Sequence, residues 1–451
     1  MIGRPKLVSK LLNILRRNPL KDNPMTRQVI PRSQHNISRS NIGQNAIRVL
    51  MRLKQTGHQA YLVGGGVRDL LLGKTPKDFD IVTDAKPEEV RGLFRNSRLI
   101  GRRFRLVHVH FGNEIIEVAT FRGQHDGQQG DDGQIVNGMI VRDNVFGTLE
   151  EDALRRDFTV NSLYYNIDGF AVVDDVGGMA DLQAGLLRLI GDPELRYRED
   201  PVRMLRAVRF AAKLDFNLEE STEAPVYELG HLLEGVPPAR LFEETLKLFF
   251  AGYAKHSFEL LRRYRLFTFL FPQTEDCIVN YSDGEIILNF VLRSLENTDL
   301  RIREGKSVTP AFLFAAFLWG PVVRLKSRYL ERGMSESQAM SAASDAVMSG
   351  QSQHVSVPRR FHAAMRDIWA MQDRLIRRAP KRSLRLLGHP RFRAAYDFLL
   401  LRSEVGDADE DLAKWWTEYQ FKDEAGQHQM TDKLIRGRKH VGRRKKTAAP
   451  D

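Results

Sequence analysis

Between Ala60 and Thr83 the chain runs AYLVGGGVRDLLLGKTPKDFDIVT, and this stretch restricts its fold more than any other. Residues 60–63 form a short apolar run ended by glycine, the pattern of a buried strand. Gly64, Gly65 and Gly66 tolerate positive φ and admit a ligand close to the backbone. Residues 67–72 predict a helix, which Gly73 ends. A strand, a glycine turn and a helix start in succession form a ready anion site, and Arg68 lies in the first helical turn, where it meets the same anion. Asp78 and Asp80 then open a second strand. Residues two apart in a strand face one side, so both carboxylates can hold the same divalent ions. Two such ions about 3.5–4 Å apart clamp an in-line phosphoryl displacement. Taken singly, three glycines read as a turn and D-x-D as surface or capping chemistry. Their succession within one unit is what points to phosphoryl chemistry.

A chain of 451 residues predicts two or three domains, and 42% hydrophobic residues suffice for their cores. No apolar run approaches the roughly 18 residues of a membrane span. A lone cysteine, Cys277, excludes an internal disulfide framework and fits a reducing, cytoplasmic setting. The formal charge is +12, and its placement says more than its size. Residues 1–40 hold nine Lys or Arg and one acid, and residues 433–451 hold eight and one. The tails therefore take +8 and +7 of the total, which leaves −3 for residues 41–432. Within the body, residues 359–402 carry twelve basic residues and three acids. Such basic segments suit a polyanionic partner.

Residues 1–40, rich in Asn, Arg and Ser, are expected to be disordered, with a short amphipathic helix at 7–17. Residues 42–56 predict a helix leading into the glycine strand. Lys86-Pro87-Glu88-Glu89 opens another, with proline and acids at its start. Residues 105–111 and 114–121 predict a hairpin about Gly112-Asn113. His108 and His110 alternate along it and read as plain strand residues, since no third ligand has sensible spacing. His125-Asp126 lies in a glycine-rich run without partner histidines. Residues 149–157 predict a charged helix. From Tyr197 onward glycine and proline thin out, which sets a boundary near Asp192-Pro193. Later helices are expected around 238–252, 255–267, 284–296, 310–319, 358–378 and 391–404.

The second informative stretch is YREDPVRMLRAVRFAAKL at 197–214. At helical spacing, Arg203, Arg206 and Arg209 share one face, while Met204, Leu205, Val208, Ala211 and Ala212 share another. Asp200 and Arg203 are surface neighbours three residues apart. An acceptor-only carboxylate beside a donor-only guanidinium can read a base edge.

These stretches, with R-R-D-F-T-V-N at 155–161, resemble the class II family of tRNA nucleotidyltransferases and bacterial poly(A) polymerases. The resemblance implies an α+β chain. A nucleotidyltransferase head of mixed β-sheet with helices spans 41–192, followed by an all-helical neck at 193–255 and a helical RNA-binding body at 256–432, between disordered basic termini at 1–40 and 433–451. It implies base pairing by Asp200 and Arg203, triphosphate contacts from Arg206 and Arg209, nucleotide contacts from Gly64, Gly65, Arg68 and Arg156, and Asp157 as a third catalytic carboxylate beside the metal ligands Asp78 and Asp80. Glu117, in a nearby strand, is the alternative third carboxylate. Residues 99–109, LIGRRFRLVHV, are similar to the segment that separates bacterial poly(A) polymerases from CCA-adding enzymes, and supply Arg102, Arg103 and Arg105. The implied activity is template-independent transfer of AMP from ATP to RNA 3′ ends with Mg²⁺ or Mn²⁺. CCA addition to tRNA is the alternative. The implied partners are the 3′ ends of mRNA, small RNA and decaying RNA, with RNA-decay or RNA-chaperone proteins as candidates. An RNA-binding protein with an inactive head would lack Asp78 or Asp80, and both are present.

Overall fold

A computed structural model of the chain describes residues 27–101, 105–123, 133–136 and 139–434. The chain divides into two compact units, one ending at Leu232 and the other beginning at Leu233. The break falls inside the stretch 193–255 expected to form a neck, so the cationic helix of that stretch belongs with the head.

The first unit contains, in chain order, β1 (Gln28–Ile30), β2 (Ala60–Val63), β3 (Asp80–Thr83), β4 (Ser97–Ile100), β5 (Leu106–Phe111), β6 (Glu114–Thr120), β7 (Gly133–Val136), β8 (Met139–Asp143), β9 (Leu163–Asn166) and β10 (Ala171–Asp174). Eight of these form one sheet in the order β1-β10-β9-β2-β3-β6-β5-β4, and β7 and β8 pair as a separate hairpin. Every pair in the large sheet is antiparallel except β3 with β6, where Asp80 lies opposite Glu117. The helices of this unit are α1 (Gln44–Gln55), α2 (Gly65–Leu71), α3 (Pro87–Leu93), α4 (Leu149–Arg155), α5 (Gly178–Ala184), α6 (Pro193–Glu199), α7 (Val202–Leu214) and α8 (Glu220–Leu229).

Local chemistry accounts for these elements. In α1 the buried residues are Ala46, Val49, Leu50 and Leu53, an apolar stripe at helical spacing. A capping box of Thr148 and Glu151 starts α4. Asp192 accepts the Leu195 amide at 3.0 Å and Pro193 takes the first helical position, which starts α6. Buried Val202, Met204, Leu205, Val208, Ala211 and Ala212 fix the inner face of α7.

Two expectations change. Residues 28–30 are not disordered: they extend the sheet beside β10, Ile30 is buried, and Arg27 grips Asp175 at 2.8 and 3.0 Å. Three residues held by main-chain bonds leave no periodic signal in a basic, Asn-rich segment. Nor are residues 193–255 all helical, because Asn217–Leu218 (β12) pairs in parallel with Leu186–Leu187 (β11). The expected helix at 7–17, Arg102, Arg103, His125-Asp126 and the tail from residue 435 lie outside the described residues.

The second unit is helical among its described residues. Phe249, Phe258, Phe267, Phe271, Phe314 and Phe317 pack at its centre with ring centroids 4.8–6.5 Å apart. Buried Trp369 donates to the Ala315 carbonyl at 3.0 Å, and Trp416 to that of Leu375 at 2.9 Å. The expected helices are found at Pro238–Phe249, Ala254–Arg263, Gly284–Arg303, Pro310–Phe317, Arg359–Ile376 and Phe392–Glu404. A further helix at Trp319–Glu331 contains Gly320-Pro321 in its first turn. Proline is tolerated in a first turn, where its missing N–H has no intrahelical partner, and Gly320 lets the side chain of Ile287 approach. Among the described residues no helix is long and apolar enough to cross a membrane.

Gly178, at the start of α5, packs against Thr159 in the R-R-D-F-T-V-N segment, and a Cβ there would overlap the Thr159 carbonyl. Gly178→Ala should lower stability by about 1–3 kcal/mol, as overpacking does. Urea denaturation of the two proteins checks this, and an unchanged midpoint would mean that the segment yields freely.

Candidate active site

The site is built where β2 ends. Gly64 has φ +75°, a conformation that disfavours any residue with a Cβ. A Cβ on Gly64 would stand 3.7 Å from an Asp80 carboxylate oxygen and 3.9 Å from Arg156 Nη1, so the bare backbone lies between these two side chains. Asp80 is the first residue of β3, with Asp78 two before it. The sheet register then sets a row across four strands: Val63, Asp80, Glu117 and His108. The Glu117 carboxylate meets His108 Nε2 at 3.2 Å. Asp80, Glu117, Arg122, Asp152 and Arg156 share the lining of a cavity of about 190 Å³.

Asp80 carries the electrostatic signature of the site. Burial, then the neighbouring charge of Glu117, raises its pKa; Arg156 opposes this and Asp78 adds to it, and the result is about 6. Among the described residues, no three acidic, histidine or cysteine side chains already converge as a metal-binding group. What the row offers is an excess of negative charge at the edge of a phosphate-sized turn.

Arg156 is held from behind. Its Nε donates to Asp152 at 3.0 Å and to the Tyr164 hydroxyl at 2.9 Å, and its Nη2 donates to Asp152 at 2.9 Å. The Tyr164 hydroxyl donates to the same Asp152 oxygen at 2.8 Å. Burial disfavours the charge on Asp152, but Arg156, Tyr164 and the Arg122 amide hold it below the usual carboxylate range. Burial raises the Tyr164 hydroxyl far above its ordinary value, so it stays protonated and donates.

Asp157, expected as a third catalytic carboxylate, is engaged by Arg206, Asn161 and a main-chain amide. Neither Asp157 nor Asp78 lines the Asp80 cavity. The Asp157 carboxylate accepts from Arg206 Nε at 2.9 Å and from Arg206 Nη2, from Asn161 at 3.2 Å and from the Phe158 amide at 2.8 Å. Burial opposes its ionisation, yet Arg206, Asn161 and that amide hold it far below the usual carboxylate range. Asp157 braces Arg206. Arg68 is likewise enclosed, donating to Asp69 at 2.9 and 2.6 Å and to Asn161.

On α7, Arg206 and Arg209 lie over the ring of Phe210 at 5.6 and 4.6 Å, and Arg68 approaches the same ring at 5.3 Å. Three guanidiniums around one aromatic face form a set of cation–π contacts. The sequence analysis assigned Phe210 no role. Arg203 donates to Glu199 Oε2 at 2.9 Å and to the Arg196 carbonyl at 2.6 Å, while Asp200 accepts the Val202 amide at 3.3 Å. Nothing in the spacing had singled out Tyr164, Asp152 or Arg196; a burial pattern alone could have shown them.

The chain resembles known proteins over nearly all of its length. The family model described as the poly A polymerase head domain matches residues 60–188. A probable RNA- and SrmB-binding site of polymerase A matches 215–278, and the polymerase A arginine-rich C-terminus matches 332–450. Poly(A) polymerase I of Salmonella typhimurium is 51% identical over 414 residues, covering 90% of this chain and 88% of that protein. A CCA-adding enzyme of Lactobacillus helveticus is 40% identical over 218 residues, covering 48% of this chain and 52% of that protein. The solved CCA-adding enzyme of Bacillus stearothermophilus in complex with CTP superposes with a TM-score of 0.57 at 25% identity, covering 83% of this chain and 81% of that one.

The raised Asp80 has a consequence for stability. A carboxyl whose folded pKa lies above its unfolded value binds its proton more tightly when folded. Its contribution is present at low pH and is lost as pH rises from the ordinary value of 3.8 through about 6. Asp80→Asn removes that loss, so it should stabilise the protein at pH 7 by roughly 2 kcal/mol more than at pH 4. Urea unfolding of both proteins at the two pH values measures it. An equal effect at both would mean that Asp80 titrates normally.

Proposed function

Because the chain belongs to the poly(A) polymerase family, we propose that it extends RNA 3′ ends without a template, transferring AMP from ATP to the terminal 3′-OH and releasing pyrophosphate. The observation that carries this is the length of the match. Likeness to the poly(A) polymerase of Salmonella typhimurium runs through nine-tenths of the chain, whereas likeness to the CCA-adding enzyme of Lactobacillus helveticus covers about half. The arginine-rich segment at 332–450 supports the same branch. A basic surface that meets phosphates without reading bases suits an enzyme acting on many RNA ends. The substrates are then the 3′ ends of mRNA, small RNA and decaying RNA in the cytoplasm, with RNA-decay or RNA-chaperone proteins as partners.

Asp78, Asp80 and Glu117 are the residues that hold Mg²⁺ or Mn²⁺. The burial and the neighbouring charge of Glu117 that raise Asp80 fit this, because a dication favours the ionised carboxylate. The bound ion supplies positive charge to the attacking oxygen and to the triphosphate. The chain's own residues do the rest. The turn at Gly64 and Gly65 lets the triphosphate approach the backbone. Arg156, fixed by Asp152 and Tyr164, presents Nη1 beside that turn, where it meets charge without reorganising. Arg206 and Arg209 present further donors from α7. Arg68 and Asp157 act as braces, the first within the α2 turn and the second on Arg206. Asp200 and Arg203 face the base.

Purified protein given a generic RNA and each NTP separately should make long A-only tails. With tRNA lacking its CCA end it should not stop after C-C-A, and such a stop would move the chain to the other branch. Asp80→Asn and Glu117→Gln should each lower kcat at least a hundredfold, about 3 kcal/mol of transition-state stabilisation, with RNA affinity retained. Asp157→Asn should act mainly on KM for ATP through Arg206. An active Glu117→Gln beside an inactive Asp157→Asn with unchanged KM would return the third carboxylate to Asp157.

A further inference from the structure

Arg196 has no part in the roles above. Its side chain is only 13% exposed. Burial, then the neighbouring charge of Arg203, pushes its pKa down to about 10. A buried guanidinium is tolerated only where its donors are matched. Nη1 donates to Glu199 Oε2 at 3.0 Å, and Nη2 donates to the main-chain carbonyls of Arg155 and Arg156 at 2.8 and 2.7 Å. Nε has no hydrogen-bond partner among the described residues. Glu199 Oε2 also accepts from Arg203 Nη1, as does the Arg196 carbonyl. One buried side chain therefore joins the end of α4, where Arg156 begins its reach toward Asp80, to the start of α7, where Arg203 sits.

Arg203 Nη1 is thus fixed by two acceptors belonging to one brace, which leaves its other donors to point one way. The planar fork of a guanidinium makes such an orientation specific. We propose that Arg196, acting through Glu199, is a positioning residue for base choice: it sets the orientation of Arg203 and ties that orientation to the carbonyl end of the Arg155–Arg156 segment. The inference rests on the reading of Arg203 as the residue that faces the base. It adds that base selection and the Asp80 cavity share one mechanical support. A brace of merely structural importance would affect all nucleotides alike.

The test is steady-state kinetics with ATP, CTP and GTP on one RNA, for wild type, Arg196→Met, Arg196→Lys, Glu199→Gln and Arg203→Ala. RNA affinity without nucleotide and thermal melting are measured on the same preparations. Arg203→Ala should reduce the preference for ATP, taken as the ratio of kcat/KM values, at least tenfold. Arg196→Met and Glu199→Gln should do the same with unchanged RNA affinity. Arg196→Lys, which can still donate to the carbonyls but lacks the fork, should fall between. If Arg203→Ala loses the preference while Arg196→Met and Glu199→Gln keep it, the inference is overturned and Arg203 stands. Retention of the preference by Arg203→Ala itself would overturn the reading of Arg203, and the inference with it. Should Arg196→Met fail to fold, Glu199→Gln, which is isosteric and one-third exposed, decides alone.

Discussion

Two carboxylates fixed in register on neighbouring buried strands shape the candidate site of the first unit. Asp80 and Glu117 face each other at the single parallel step of an otherwise antiparallel sheet. Sheet register leaves them no freedom to separate, since a slip of one residue would turn both strands inside out. The strands themselves are pinned by buried Val63, Ile81, Val82 and Val118. Apolar packing thus holds in place an arrangement of charge that would fly apart in a flexible loop. Burial, and then the charge of Glu117, raises the pKa of Asp80.

The cations around this centre follow a common rule. Arg156 has Asp152, Arg206 has Asp157, Arg68 has Asp69, and Arg203 has Glu199. Each guanidinium is anchored by an acid. In a part-buried setting such pairs gain from hydrogen bonding that offsets desolvation. The result is a cradle whose donors are already aimed, the condition under which fixed charge stabilises a reaction most effectively.

How much of this was legible beforehand depended on whether a residue's neighbours in sequence are also its neighbours in space. The strand, glycine turn and helix at 60–71 follow from local rules, as does the two-faced helix at 202–214. The order of the α+β head and the helical remainder follows from where periodicity changes. Glu117 opposite Asp80 could be offered only as an alternative, because the pairing that sets it spans thirty-seven residues. The pairing of Asp157 was hidden for a related reason. That residue sits in an informative motif, but its partner Arg206 arrives from a helix forty-nine residues on. Phe210 and Arg196 were invisible as functional residues, since an aromatic ring among arginines and one arginine among several carry no pattern. Strand β1 was hidden by the composition of its surroundings.

The parallel step between β3 and β6 also bears on how the protein comes into being. A parallel pair cannot be closed by a tight turn and requires a crossover. Here the crossover carries α3, β4 and β5, so β3 and β6 meet only after the intervening chain has organised. Strand β2 must in addition pair with β9, which places Val63 against Tyr164. Contacts this distant in sequence are slow to form, because the entropy of closing long loops has to be overcome before they give any return. A nascent chain emerging through residue 100 therefore has the glycine turn, both aspartates and the β2–β3 pair, but not β6 with Glu117. The row of Asp80 and Glu117 exists only once β6 has joined the sheet.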